Sequence, residues 1–281
     1  MKQYCGKVCI IGRPNVGKST FLNQAIGEKI SIVTHKAQTT RRQIKGIYSN
    51  ESHQIIFIDT PGINSISAKS QVRSLNKIAL TALIDIDLVI FIVDRDRWLP
   101  EDEWILEAIK TYQGPCVAVI NKIDQMKSDS MLALLETVRD KQVFQAVMPI
   151  SALKGQHIQL LLDHIKLYMP EKPFMYPIDS KYDINEQFLV KEVIREKLLI
   201  FTHEEIPFIS NINIEEWIKT DKRFSVSIVI HVNTIGQKKI IIGHNGQQLK
   251  RIGRQARLDI EQTLGQKMHL NIWIKIKKRR V

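Results

Sequence analysis

Cysteine is scarce in this 281-residue sequence: Cys5, Cys9 and Cys116 are odd in number and lack metal-ligand spacing. That excludes a disulfide framework and a cysteine zinc site. Two of the three sit in apolar runs that read as strands, so all are expected to be reduced core residues of a cytosolic protein. Long hydrophobic runs are missing too. The run before Gly12 covers only 8–11, too short for a signal peptide, and the longest later one, 88–93, falls far below the ~20 residues of a membrane helix. Heptads and internal repeats are absent, which removes coiled coils and solenoids and leaves a monomer as the default.

Acidic residues thin out toward the C-terminus. Residues 238–281 hold twelve Lys or Arg against Asp259 and Glu261, a net of +10 out of the chain's +12. A basic excess confined to one end is the electrostatic footprint of a polyanion partner, either nucleic acid or an anionic lipid surface such as the inner membrane. With 44% hydrophobic residues the chain has enough apolar surface for a real core, and its length divides most naturally into two domains.

The first part alternates short apolar runs (7–11, 54–59, 88–94, 116–121 and 146–150) with helix-length amphipathic stretches (18–26, 70–84, 100–112, 130–141 and 156–168). This pattern predicts a doubly wound, mostly parallel α/β sheet covered on both faces. Pro170, Pro173 and Pro177 fall within eight residues and argue against regular structure. The expected organisation is therefore a first domain over 1–172, a linker over 173–184 and a smaller α+β domain over 185–281. In the second domain the pattern gives a helix at 187–201, a strand at 224–232, a helix from Gln247 and a final alternating strand, with one sheet face exposed. Residues 239–242 read equally well as a strand or a short helix.

Gly12-Arg13-Pro14-Asn15-Val16-Gly17-Lys18-Ser19 follows a strand and opens a helix. Glycines there let backbone N–H groups turn inward around a phosphate chain, and the helix N-terminus points at it. Lys18 is expected at the β- and γ-phosphates and the Ser19 hydroxyl on Mg²⁺. Base choice rests on Asn121-Lys122-Ile123-Asp124. The Asp124 carboxylate accepts from guanine N1–H and the exocyclic amine, donors that adenine lacks there, which selects GTP over ATP. Asn121 is expected to tie the base loop to the phosphate loop, and the Lys122 stem to cover the base. Ser151, Ala152 and Leu153 complete the pocket, with the Ala152 N–H meeting guanine O6. Asp59-Thr60-Pro61-Gly62 places Asp59 on the Mg²⁺ shell through water and the Gly62 N–H at the γ-phosphate. Thr40, preferred over Thr39, is to complete the metal shell in the GTP state. Lys18, Thr40 and Gly62 are thus the candidate catalytic groups. Ile63 stands where many GTPases place a glutamine, so intrinsic hydrolysis should be slow.

These motifs resemble the translation-factor class of GTPases. Lys36-Ala37-Gln38-Thr39-Thr40-Arg41, Arg195-Glu196-Lys197-Leu198 and Glu204-Glu205-Ile206-Pro207 narrow the resemblance to the Era-like family of bacterial GTPases, over essentially the whole chain. The resemblance implies a P-loop GTPase domain followed by a type II KH domain that binds the 3′ region of 16S ribosomal RNA and serves assembly of the 30S subunit. Peripheral membrane behaviour is also associated with the family. Related GTPases with asparagine at the position of Asn15 use K⁺, so Asn15 is read either as a loop-shaping residue or as a K⁺ ligand.

Gly243-His244-Asn245-Gly246 precedes a helix whose Lys250, Arg251, Arg254 and Arg257 fall off its apolar face. A G-x-x-G loop lets the backbone clamp about four nucleotides, with charge from the adjoining helix and from Lys239. His244 and Asn245 replace the lysine usual in this family's loop, which shifts one phosphate contact to Lys250 or Arg251. Trp273, on the polar face of the last strand, either stacks on a base or packs at the rim.

Overall fold

The computed structural model describes residues 2–28, 44–59, 83–94, 97–183, 185–202, 211–221 and 224–277. The chain divides between residues 183 and 184 into two units. In the first, six strands lie in the order β2-β3-β1-β4-β5-β6: β1 (Tyr4–Ile11), β2 (Ile44–Ser49), β3 (His53–Asp59), β4 (Leu88–Asp94), β5 (Cys116–Asn121) and β6 (Ala146–Pro149). All neighbours are parallel except β2 with β3. The central strands β4 and β5 are buried at every residue, as their unbroken apolar runs demand. Helices α1 (Lys18–Ile26), α2 (Pro100–Ile109), α3 (Ser128–Arg139) and α4 (Ile158–Lys166) connect them.

Two apolar layers flank this sheet. Phe21 of α1 meets Phe57 of β3 edge to face at 5.7 Å. On another side Ile105, Ile109, Leu134 and Val138 of α2 and α3 pack with Cys9, Phe91 and Ala118. Cys5, Cys9 and Cys116 are free and buried. Burial pushes the Cys9 and Cys116 thiols up to about 12, which makes them inert packing groups. The expected helix over 70–84 lies almost wholly outside the described residues.

Residues 173–183, expected to be linker, are fastened to the first sheet. The Gln54 side chain, fully buried, accepts from the Met175 and Tyr176 N–H groups and donates to the Tyr176 carbonyl. Further on, Ile47 N–H donates to Lys181 O at 2.8 Å and Asp183 N–H to Lys45 O, so the segment pairs with the outer edge of β2. The prolines do prevent regular structure here, but edge hydrogen bonds anchor the chain without it.

The second unit runs α5 (Glu186–Phe201), β7 (Asn211–Lys219), β8 (Phe224–Val232), α6 (Ile235–Ile242), α7 (Gln247–Leu264) and β9 (His269–Ile276). Its sheet order is β7-β8-β9, antiparallel then parallel. Val190 and Ile194 of α5, Ile252 and Ala256 of α7, and Val226 and Ile228 of β8 form its core. The ambiguous stretch 239–242 is helical, the end of α6, begun by Thr234 and Gln237 in a reciprocal capping box. The expectation of one exposed sheet face holds only for the edge strands. On β8 the alternate residues Ser225, Ser227 and Val229 are buried too. A central strand is flanked on both sides: Trp273 sits opposite Val229, and the Ser227 hydroxyl donates to Glu216 at 3.1 Å.

Candidate nucleotide site and nucleic-acid surface

β1 lies between β3 and β4, the point where strand order reverses, and a doubly wound sheet opens a ligand crevice beyond the strand ends there. The chain leaves β1 at Gly12, turns through Pro14 and Asn15, and enters α1 at Lys18. Two positions require glycine. Gly12 and Gly17 have φ of +156° and +102°, and an added Cβ would collide with the Ile92 carbonyl oxygen at the first and the Asn121 amide at the second. Lys18 is buried and donates to the Gly12 and Arg13 carbonyls at 2.9 and 2.7 Å. Burial draws its ammonium down to about 8, and nearby Asp59 opposes that shift.

The Ser19 hydroxyl donates to the Asp59 carboxylate at 2.9 Å, and Asp59 is fully buried. A hydroxyl beside a carboxylate, at the head of a phosphate loop, is the all-oxygen donor set that Mg²⁺ takes, with its remaining positions left to phosphate and water. Thr39, Thr40, Thr60, Pro61, Gly62 and Ile63 lie outside the described residues.

Asn121, at the end of β5, clasps both loops. Its Nδ2 donates to Val16 O at 2.7 Å and its Oδ1 accepts from Ala152 N–H at 2.9 Å. The tie to the phosphate loop is the expected one. The Ala152 N–H thus has a protein partner that the sequence reading did not name. Ser151 donates to Asp124 Oδ1 at 2.5 Å, orienting that carboxylate. Asp124 and Leu153 are exposed, so the unpaired-acceptor cost that rejects adenine arises only once a base covers the site. The Lys122 ammonium reaches Asn15 O and Asp94 Oδ2, both at 2.6 Å. Its stem therefore runs back toward the phosphate loop. Arg13 sends its guanidinium onto Asp94 and Asp102. The sequence reading missed both acids; their signals are the last position of a strand and the first turn of a helix opening with proline.

In the second unit Gly243 ends α6 and Gly246 caps α7, with φ of +70° and +75°, and Asn245 between them is also left-handed. A Cβ at Gly243 would press on Gln248. Gln248 donates to Phe201 O and the Arg251 guanidinium lies 4.4 Å from the Phe201 ring, which fixes the loop and α7 onto the end of α5. Ile252, Ala256 and Ile260 face the core, leaving Lys250, Arg251, Arg254 and Arg257 exposed. Among the described residues no carboxylate pairs with Lys250 or Arg254, whereas Arg257 lies 4.0 Å from Glu261. Lys239, His244 and Asn245 are exposed, and Trp273 is 47% exposed on β9.

The fold and site together define a P-loop GTPase carrying a KH-type RNA-binding module. Residues 7–122 match the family described as 50S ribosome-binding GTPase, and residues 202–280 match the KH domain. The chain is 41% identical over 275 residues to the GTPase Era of Coxiella burnetii, covering 98% of this chain and 93% of that one. With the GTPase Era of Haemophilus ducreyi it shares 40% identity over 279 residues, at 98% and 91% coverage. Among solved structures, Era in complex with MgGDPNP and nucleotides 1506–1542 of 16S ribosomal RNA superposes with a TM-score of 0.89 at 37% identity, covering 99% of this chain and 95% of that one. An Aquifex aeolicus Era variant bound to GDP·AlF4⁻ gives the same TM-score, identity and coverage. The chain belongs to the Era family of GTPases. The alternative reading of the basic C-terminus as a lipid-binding surface is not supported by the comparisons, since that segment matches the KH domain.

Proposed function

We propose that this chain binds GTP with Mg²⁺, hydrolyses it slowly, and uses the nucleotide state to govern how its KH module engages the 3′ region of 16S ribosomal RNA during assembly of the 30S subunit. The observation that carries the nucleotide half is the Asn121 clasp, which joins phosphate loop and base loop through one buried side chain. The RNA half is supported by the glycine clamp at Gly243 and Gly246, the exposed cations of α7, and the RNA-bound relative.

In this reading the loop amides after Gly12 and the Lys18 ammonium hold the β- and γ-phosphates. Ser19, and Asp59 through water, would hold the Mg²⁺, which when bound would offset the charge of the phosphate oxygens. Asp124, steadied by Ser151, reads the guanine edge. For its O6 the base takes the Ala152 N–H from Asn121 or shares it. Ile63 offers no hydrogen bond to the attacking water, which keeps turnover slow. Three buried free cysteines suit a reducing cytoplasm, and the monomeric state remains the default.

The deciding experiment is GTP turnover with and without RNA carrying the 3′ end of 16S ribosomal RNA. Stimulation or suppression supports coupling of the two units; identical rates at saturating RNA refute it. Turnover in KCl against NaCl tests Asn15, and equal rates remove it from the mechanism.

A further inference from the structure

β4 supplies none of the recognised nucleotide motifs, yet it lies between the strand that delivers the phosphate loop and the strand that delivers the base loop. Its last residue, Asp94, is 2% exposed and paired in register with Asn121. The two oxygens of this carboxylate serve different loops. Oδ1 accepts from Arg13 Nη2 at 3.0 Å, and Oδ2 accepts from Lys122 Nζ at 2.6 Å. Each cation has a second anchor: Arg13 Nε donates to Asp102 Oδ1 at 2.7 Å, and Lys122 Nζ donates to Asn15 O. Asp102 is itself buried and accepts the Leu99 N–H at the start of α2. Among the described residues, Asp102, Arg13, Asp94 and Lys122 thus form a chain of alternating charge running from α2 through the phosphate loop to the base loop.

We propose that Asp94 is a positioning residue for nucleotide binding, one that sets the base loop in register with the phosphate loop by holding Lys122 and Arg13 on a single carboxylate. The inference rests on reading this pocket as a guanine-nucleotide site. The Asp94 oxygens are engaged by Arg13 and Lys122, so the carboxylate acts on the site through those two side chains. Its effect is on preorganisation: with Lys122 drawn against Asn15 O, the residue two before Asp124 is fixed to the loop that grips the phosphates, and the base and phosphate halves of the ligand meet a site already at the right spacing. A buried carboxylate shared by two cations is also costly to alter, because its removal takes countercharge from both and leaves Arg13 with Asp102 alone and Lys122 with the Asn15 carbonyl.

The test is a double-mutant cycle on GDP affinity in the full chain, with Asp94→Asn, Lys122→Met and the pair combined. Wild-type binding of GDP checks the site itself; failure there refutes the nucleotide reading rather than the role of Asp94. Each single change should weaken GDP and GTP alike, by roughly thirtyfold or more, the usual consequence of truncating one partner of a buried charge pair. Because Asp94 acts on the base loop through Lys122, the double variant should fall within about threefold of the weaker single one, and for Asp94→Asn alone the loss should appear in KM rather than in kcat. Losses that multiply, or a fall in saturated turnover with affinity intact, overturn the proposal. Should Asp94→Asn fail to fold, Arg13→Gln carries the test, since it leaves the Lys122–Asp94 pair in place. Affinity should then drop while the preference for GDP over IDP, which lacks the exocyclic amine, survives; loss of that preference overturns the proposal.

Discussion

Replacing Asn121 by alanine removes a side chain that bonds at once to the backbone of the phosphate loop and of the loop at Ala152. Its amide is 2% exposed, and the groups it would abandon are equally enclosed: Val16 is fully buried and Ala152 is 1% exposed. Each orphaned backbone group costs ~1–3 kcal/mol when water cannot replace the lost partner, so the two together amount to about 2–6 kcal/mol. Both bonds are made within the protein itself, so part of the loss falls on fold stability and part on affinity. A stability loss of ~2 kcal/mol would lower Tm by about 4–8 °C in a unit of this size. A loss of ~1.4 kcal/mol borne by binding would weaken GDP tenfold. Displacement of a fluorescent GDP analogue, together with thermal denaturation of the nucleotide-free protein, reads both shares. GTP and GDP should suffer equally, because neither bond approaches the γ-phosphate position. If Tm stays within about 2 °C and GDP affinity within about threefold, the two bonds do not carry the weight assigned to them.

Asp124→Asn should reduce the preference for GDP over IDP by at least about tenfold, since the carboxylate that accepts from the exocyclic amine is gone; unchanged discrimination in competition binding would contradict the base reading. Gly243→Ala should cut RNA affinity, because φ is +70° and the new methyl presses on Gln248, while GTP turnover without RNA stays as in wild type. Lys250→Ala and Arg254→Ala should each weaken RNA binding and flatten its salt dependence by a log–log slope of about 0.7 per lost phosphate contact; an unchanged slope removes that residue from the interface.

Long apolar runs and loop chemistry were readable without coordinates, because β4 and β5 need continuous hydrophobicity and the phosphate loop needs its glycines. The two sheet strands that escaped notice are edges. β2 has Gly46 at its middle, a residue that weakens strand propensity. β7 alternates as far as Ile214, then a bulge between Ile214 and Glu216 shifts the period so that Trp217 falls out of phase. Among site residues, Lys18, Ser19, Asp59 and Asn121 were named from motif spacing, and the fold gathers them at the same end of the sheet. The directions of Arg13 and Lys122 could not be read from spacing, since a phosphate-loop arginine looks like a phosphate ligand until Asp94 and Asp102 are placed beside it. The extent of the first unit was also hidden. A cluster of prolines indicates where helices and strands stop, but it carries no information on whether a neighbouring strand offers free hydrogen-bonding groups.

The pairing of residues 181–183 with β2 has a practical outcome for dissecting this molecule. β2 is the terminal strand of its sheet, and unsheltered terminal strands recruit other chains into intermolecular sheets. A fragment cut at residue 172 would strip that shelter and leave Gln54 buried without its three backbone partners, so it should self-associate on concentration. Ending the fragment at 183 keeps the cover in place, and light scattering would tell the two apart.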